Sequence, residues 1–223
     1  MRKIIYIYFI LFCGCQILKT DIPNPKRYED QIKNFIPPSN IDSNLKPVAL
    51  FTGSSSIRRW NNLTNSFPSY HVVNTGFGGS TMKDLEYYLD QAILQYKPDI
   101  IFIYEGDNDI KLGMKEKQIM RSTRKIIERI RIELPESQII LISIKPSIDR
   151  WNLKQDYLRL NKRFFRLADK YDEVYYIDMW SEMLQKNGKP NSDIFIQDGI
   201  HLNNKGYDIW KSVIQEFLHG TDD

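Results

Sequence analysis

The chain has 223 residues, 42% hydrophobic and 26% charged, with 31 basic and 28 acidic residues and a formal net charge of +3. A chain of this length and mixture can bury a sizeable core as one globular domain, and nothing in it points to long disorder. The charges are interspersed with no basic stripe, so no nucleic-acid partner is expected.

In chain order, Arg2 and Lys3 precede ten apolar residues, Ile4 to Cys13, and then Gly14-Cys15-Gln16. A basic start, a short apolar core and a small residue before a break have the form of a secretory signal over residues 1–15. Ten residues are too few to cross a bilayer as a helix. The position of Cys15 after Gly14 resembles a bacterial lipoprotein signal. That implies an exported protein, in the periplasm or at the cell surface, held to the membrane only by a lipid on Cys15. Both cysteines, Cys13 and Cys15, lie in this segment, so the rest of the chain has no cysteine pair for a disulfide or a thiolate metal site.

Residues 16–46, with Pro23, Pro25, Pro37 and Pro38, read as a tether carrying one short helix around Tyr28 to Phe35. The domain proper is expected over 47–223. Apolar runs suited to buried parallel strands occur at Val48–Phe51, Val72–Val73, Ile100–Tyr104, Ile139–Ile142 and Val174–Ile177. Between them apolar residues recur at helical spacing. Met82, Leu85, Leu89, Ala92 and Ile93 follow a Thr81-x-x-Asp84 capping-box pattern. Ile119, Thr123, Ile126, Ile130 and Leu134 are stopped by Pro135. Tyr157, Leu160, Phe164, Leu167 and Tyr171 form a third stripe, and Tyr207, Trp210, Val213, Ile214 and Phe217 a last one. Strand–helix alternation predicts an α/β fold, a three-layer α/β/α sandwich around a five-stranded parallel sheet of flavodoxin-like type.

Polar groups gather just past the strands: Gly53-Ser54-Ser55-Ser56, Asn74-Thr75-Gly76-Phe77-Gly78-Gly79-Ser80, Gly106-Asp107-Asn108-Asp109, and late in the chain Asp198-Gly199-Ile200-His201-Leu202. A parallel sheet brings the first three to one edge, and the fourth can fold back to it. Acyl transfer needs a nucleophile, a base, a group orienting the base, and donors for the oxyanion. Of His71, His201 and His219, the first opens a strand and the last lies in the tail, which leaves His201 as base and Asp198 to orient it. The amides of Ser55 and Gly79 and the carboxamide of Asn108 are the oxyanion candidates. Singly, each motif has a plainer meaning: serines cap helices, Gly78-Gly79 makes a tight turn, and Asn108 closes its own loop. Their joint occurrence at successive strand ends is what points to chemistry.

Taken together, these blocks resemble the SGNH hydrolase superfamily, the GDSL esterases and lipases, and within it the platelet-activating-factor acetylhydrolase-like branch. The resemblance runs from about residue 47 to 218. It implies Ser55 as nucleophile, Gly79 and Asn108 as oxyanion residues, and Asp198 and His201 completing the triad. Trp60 and the Ile142–Ser147 stretch fit it too. The family aspartate before the nucleophile is Ser54 here; that aspartate is not the triad acid. The Gly-x-Ser-x-Gly of α/β-hydrolases is absent, because residue 57 is isoleucine.

The expected activity is hydrolysis of carboxylic esters, with short acyl groups such as acetyl on carbohydrate or another small molecule as substrate. The alternatives are lysophospholipid hydrolysis, a catalytically silent surface-binding lipoprotein, and a flavodoxin-like binder using the Gly76–Ser80 loop. No cofactor is expected. Asp107 and Asp109 imitate a metal pair, but without clustered histidines no metal is expected. Arg58, Arg59, Lys145, Arg150 and Trp151 are candidates for the mouth of the site, with a solvent-facing position the plain expectation for most of them.

Overall fold

Each apolar run becomes a strand in the computed structural model, which describes residues 23–37 and 45–220. The export signal expected at 1–15, including Cys15, lies outside the described residues, as do 16–22 and 38–44 of the expected tether. The strands are β1 (Val48–Gly53), β2 (His71–Gly76), β3 (Ile100–Tyr104), β4 (Gln138–Ile142) and β5 (Val174–Ile177). They form one all-parallel sheet in the order β2-β1-β3-β4-β5.

Successive side chains on a strand point to opposite faces, and here both faces are apolar. Leu50, Ile101, Ile103, Ile139 and Leu141 pack beneath helices Met82–Tyr87, Glu116–Glu133 and Lys154–Ala168. Ala49, Phe51, Phe102, Ile140 and Ile142 pack against the long last helix, Asn204–Gly220, and the short turns Ser55–Arg58 and Leu63–Ser66. Phe51 and Phe102 stack across β1 and β3 with centroids 4.3 Å apart. The result is the expected three-layer α/β/α architecture.

Two elements differ from expectation. The stripe from Met82 to Ile93 is not one helix: Tyr88 leaves helical geometry (φ −102°, ψ 22°) and divides it into Met82–Tyr87 and Leu89–Ala92. At the break the Tyr88 hydroxyl donates to the carbonyl of Pro25 at 3.1 Å and its ring meets Phe77 edge-on. The apolar spacing records which face is buried, but not this side contact. β2 is six residues long although only Val72–Val73 reads as strand. It is an edge strand with Asn74 exposed, so a continuous apolar run marks only its middle.

Residues 23–37 are packed onto the domain. A 3₁₀ turn, Pro25–Tyr28, runs into the helical turn Glu29–Ile32. The Tyr28 ring sits edge-to-face on Phe77 at 5.1 Å, Arg27 pairs with the buried Asp84 at 2.8 Å, and Gln95 donates to the carbonyl of Phe35 at 2.7 Å. Among the described residues no helix is long and apolar enough to cross a membrane.

Candidate active site

Gly53 at the end of β1 stands opposite both Gly76 of β2 and Tyr104 of β3, so these three strand ends lie in one register row. Ser55, Gly79 and Asn108 follow within four residues of that row. The carboxyl edge of an open α/β sheet is where its ligand crevice forms.

The turn that carries Ser55 requires glycine before it. Gly53 has φ +134°, and a Cβ there would lie 2.0 Å from the carbonyl oxygen of Tyr104. Three further bonds hold the turn: the Ser54 amide donates to Tyr104 O (3.2 Å), Asn74 Nδ2 donates to Ile57 O (2.9 Å), and the Tyr207 hydroxyl donates to Ser56 O (2.9 Å). Ser54 occupies the N-cap position but its side chain makes no capping bond, and its Oγ is buried without a partner among the described residues. The helix that follows is a single turn, Ser55–Arg58. It is too short to add much macrodipole to the charge stabilisation at Ser55.

His201 Nε2 lies 2.8 Å from Ser55 Oγ, and His201 Nδ1 lies 2.5 Å from Asp198 Oδ2. The other carboxylate oxygen, Asp198 Oδ1, accepts the amides of Ile200 and His201 at 2.9 Å each. Desolvation pushes the Asp198 carboxyl up, but the His201 ring bond and these two amides outweigh it and hold the carboxyl down at about 2. An ionised Asp198 can only accept, so Nδ1–H is the donor in that contact, which leaves Nε2 to face the Ser55 hydroxyl. His201 thus reaches Ser55 across 146 residues of chain, with Asp198 behind it. His71 begins β2, and His219 sits exposed in the last helical turn.

Gly79 takes the left-handed conformation (φ +83°) on the loop after β2. Asn108 Nδ2 donates to Ser80 O at 3.0 Å, so this side chain ties two loops together and does not simply close its own. Among the described residues, no protein acceptor takes the backbone amides of Ser55 or Gly79.

Several buried polar groups behind the loops carry little or no sequence signal. Ser80 donates to Glu105 Oε1 at 2.5 Å, and burial with Asp109 nearby pushes the Glu105 carboxyl well up. Asp109 accepts the Met82 amide at 3.1 Å, and burial raises its carboxyl to about 7 against that bond. Asp84, recognisable as the capping-box acid, also binds Arg27. Only the capping pattern and the position of Glu105 beside Gly106 could have flagged this cluster. Arg58 and Arg59 are exposed, as expected. Trp151 stacks on Trp180 at 5.8 Å, half-buried. Lys145 and Arg150 depart from a solvent-facing position. Lys145 is 2% exposed, and burial lowers its ammonium to about 8. The Arg150 side chain is 12% exposed, between Asp107 and Asn108. Among the described residues no group of three His, Cys, Asp or Glu side chains is arranged to hold a metal ion.

Residues 47–209 match the GDSL-like Lipase/Acylhydrolase family. Solved structures of similar fold include a Streptococcus pneumonia protein provisionally described as a platelet activating factor, with TM-score 0.72 and 23% identity over 87% of this chain and 90% of that one. A GDSL-like lipase from Bacteroides thetaiotaomicron gives TM-score 0.71 at 19% identity, over 89% of this chain and 98% of that one. A multidomain esterase from Ruminococcus flavefaciens is 25% identical over 140 residues, 58% of this chain and 17% of the esterase. The N-acylneuraminate cytidylyltransferase of Escherichia coli is 25% identical over 149 residues, 66% of this chain and 35% of that protein. The chain therefore spans only a minor part of the curated relatives it matches. With a match that covers most of its length and the five-stranded parallel fold, the chain belongs to the GDSL-like lipase/acylhydrolase family.

Proposed function

We propose that the chain hydrolyses short acyl esters, acetyl groups on carbohydrate or another small molecule, through Ser55, His201 and Asp198. The observation that carries this is the chain of contacts from Ser55 Oγ to His201 Nε2 at 2.8 Å and from Nδ1 to Asp198 Oδ2 at 2.5 Å. Ser55 Oγ attacks the acyl carbonyl while His201 Nε2 takes its proton, and Asp198 stabilises the imidazolium. The oxyanion is held by the amides of Ser55 and Gly79 and by Asn108 Nδ2. His201 then returns the proton to the departing alcohol, leaving an acyl group on Ser55. Water, deprotonated by His201, attacks that acyl group, and the acid leaves as the serine takes the proton back.

Acetylxylan esterase from Geobacillus stearothermophilus supports the substrate class. It shares the fold (TM-score 0.64, 15% identity, 76% of this chain and 93% of that one), and its solved catalytic mutants replace a serine, an aspartate and a histidine, the last two spaced as Asp198 and His201 are. Hydrolysis of a lipid acyl ester, such as a lysophospholipid, is the second reading; the Streptococcus neighbour is described by the name of a lipid, platelet activating factor. Export with lipidation at Cys15 completes the proposal, supported by the basic start and short apolar run. Palmitate labelling that survives Cys15→Ser would remove the lipid from it.

Ser55→Ala is expected to abolish turnover of a short p-nitrophenyl ester and labelling by a serine-directed fluorophosphonate. Wild-type levels of both in this variant would sink the mechanism. A screen of acetylated saccharides against lysophospholipids then separates the two substrate classes.

A further inference from the structure

A carboxamide presents nearly the same shape with its oxygen and nitrogen exchanged, and the torsion that exchanges them is soft. At Asn108 the two orientations differ in kind: one offers an N–H to the substrate oxygen, the other a carbonyl that would repel it. Ser80 O accepts only, and takes one N–H of Asn108 Nδ2 at 3.0 Å. On the other side Arg150 donates only, and its Nη1 reaches Asn108 Oδ1 at 3.1 Å. The same Nη1 lies 3.3 Å from Asp107 Oδ2, while Asp107 Oδ1 accepts the backbone N–H of Asn108 at 2.8 Å. Arg150, Asp107 and Asn108 thus close a ring of contacts, largely screened from solvent because Arg150 is 12% and Asp107 6% exposed. The loop that brings Arg150 also touches the other half of the site. The amides of Ile148 and Asp149 donate to Gly199 O, between Asp198 and His201, at 2.9 and 3.3 Å.

We propose that Arg150 is a positioning residue of the oxyanion hole. It locks the Asn108 carboxamide with its remaining N–H toward the substrate, and the positive charge beside Oδ1 makes that N–H a better donor. This rests on the proposed role of Asn108, and the test is arranged so that the two fail separately. Arg150 acts through Asn108, so its effect must vanish once Asn108 has gone.

The measurement is kcat and KM for a short p-nitrophenyl ester in Arg150→Met, Arg150→Lys, Asn108→Ala and the double variant Asn108→Ala/Arg150→Met, with thermal melts for each. Arg150→Met is expected to lower kcat about 10- to 100-fold with KM within about twofold, and Arg150→Lys to recover part of it, because one donor to Oδ1 is restored. In the Asn108→Ala background, Arg150→Met should cost less than about twofold more. Losses that multiply in full in the double variant, or a raised KM with unchanged kcat, overturn the proposal. A wild-type kcat in Arg150→Met beside an impaired Asn108→Ala overturns this proposal alone. A wild-type kcat in Asn108→Ala overturns the oxyanion role of Asn108 and this proposal with it. Should Arg150→Met fail to fold, Arg150→Gln and Arg150→Lys are read by the same double-variant comparison.

Discussion

Asn108 donates its side-chain amide to the carbonyl oxygen of Ser80 at 3.0 Å, joining the loop after β3 to the loop after β2. One hydrogen of Nδ2 is spent on that bond and the other remains for a ligand. Asn108→Ala removes both. If the second hydrogen stabilises an oxyanion, kcat on a short ester falls by the equivalent of about 2–4 kcal/mol, with little change in KM. An unchanged kcat with a lowered melting temperature would leave Asn108 as a brace between loops and nothing more.

Beneath the same loops Asp109 is fully buried and its carboxyl is raised from 3.8 to about 7. Between those values the folded protein keeps a proton that the unfolded chain has released. The stability this site contributes is therefore complete below about pH 4 and is lost as pH rises through about 7. Its ceiling is on the order of 4 kcal/mol. Asp109→Asn keeps an acceptor for the Met82 amide and removes the titration. Thermal melts at pH 5 and pH 8 should show a smaller pH-dependent loss in this variant than in the wild type. Equal losses would place the titration elsewhere, with Glu105 the first candidate because its carboxyl is raised in the same direction.

Tyr28 belongs to a stretch the sequence presents as a tether, yet it is 5% exposed, packed edge-to-face on Phe77 and lying beside Gly79. Truncating it should destabilise the fold by about 3–5 kcal/mol, the usual cost of emptying a buried aromatic site. Tyr28→Ala is expected to melt several degrees below wild type. A melting temperature within about one degree of wild type would mean that residues 23–37 dock without contributing to stability.

The architecture was legible because buried parallel strands leave continuous apolar runs and their covering helices leave 3.6-residue stripes. Val48–Phe51, Ile100–Tyr104 and the Glu116–Glu133 helix could be placed that way. The full length of β2 and the break at Tyr88 could not, since an edge strand is half-solvated and Tyr88 answers to Pro25, more than sixty residues away. Ser55, Gly79, Asn108, Asp198 and His201 stood out because short motifs recur at strand ends. Arg150, Glu105 and Arg27 carry no motif, and their partners are set by contacts between loops.

By itself the sequence determined the layers of this protein, the edge of the sheet where polar groups collect, and the serine, histidine and aspartate that could work there. Those follow from local periodicity and from the topology of parallel strands. Only the tertiary structure decided that His201 meets Ser55 across 146 residues, that Arg150 faces the oxygen of Asn108, and that Arg27 and Tyr28 fasten an N-terminal strap beside the Gly79 loop. Such contacts join residues distant in the chain, and their strength comes from burial and from the one-sided chemistry of donors and acceptors. Neither is written in the spacing of residues along a single segment.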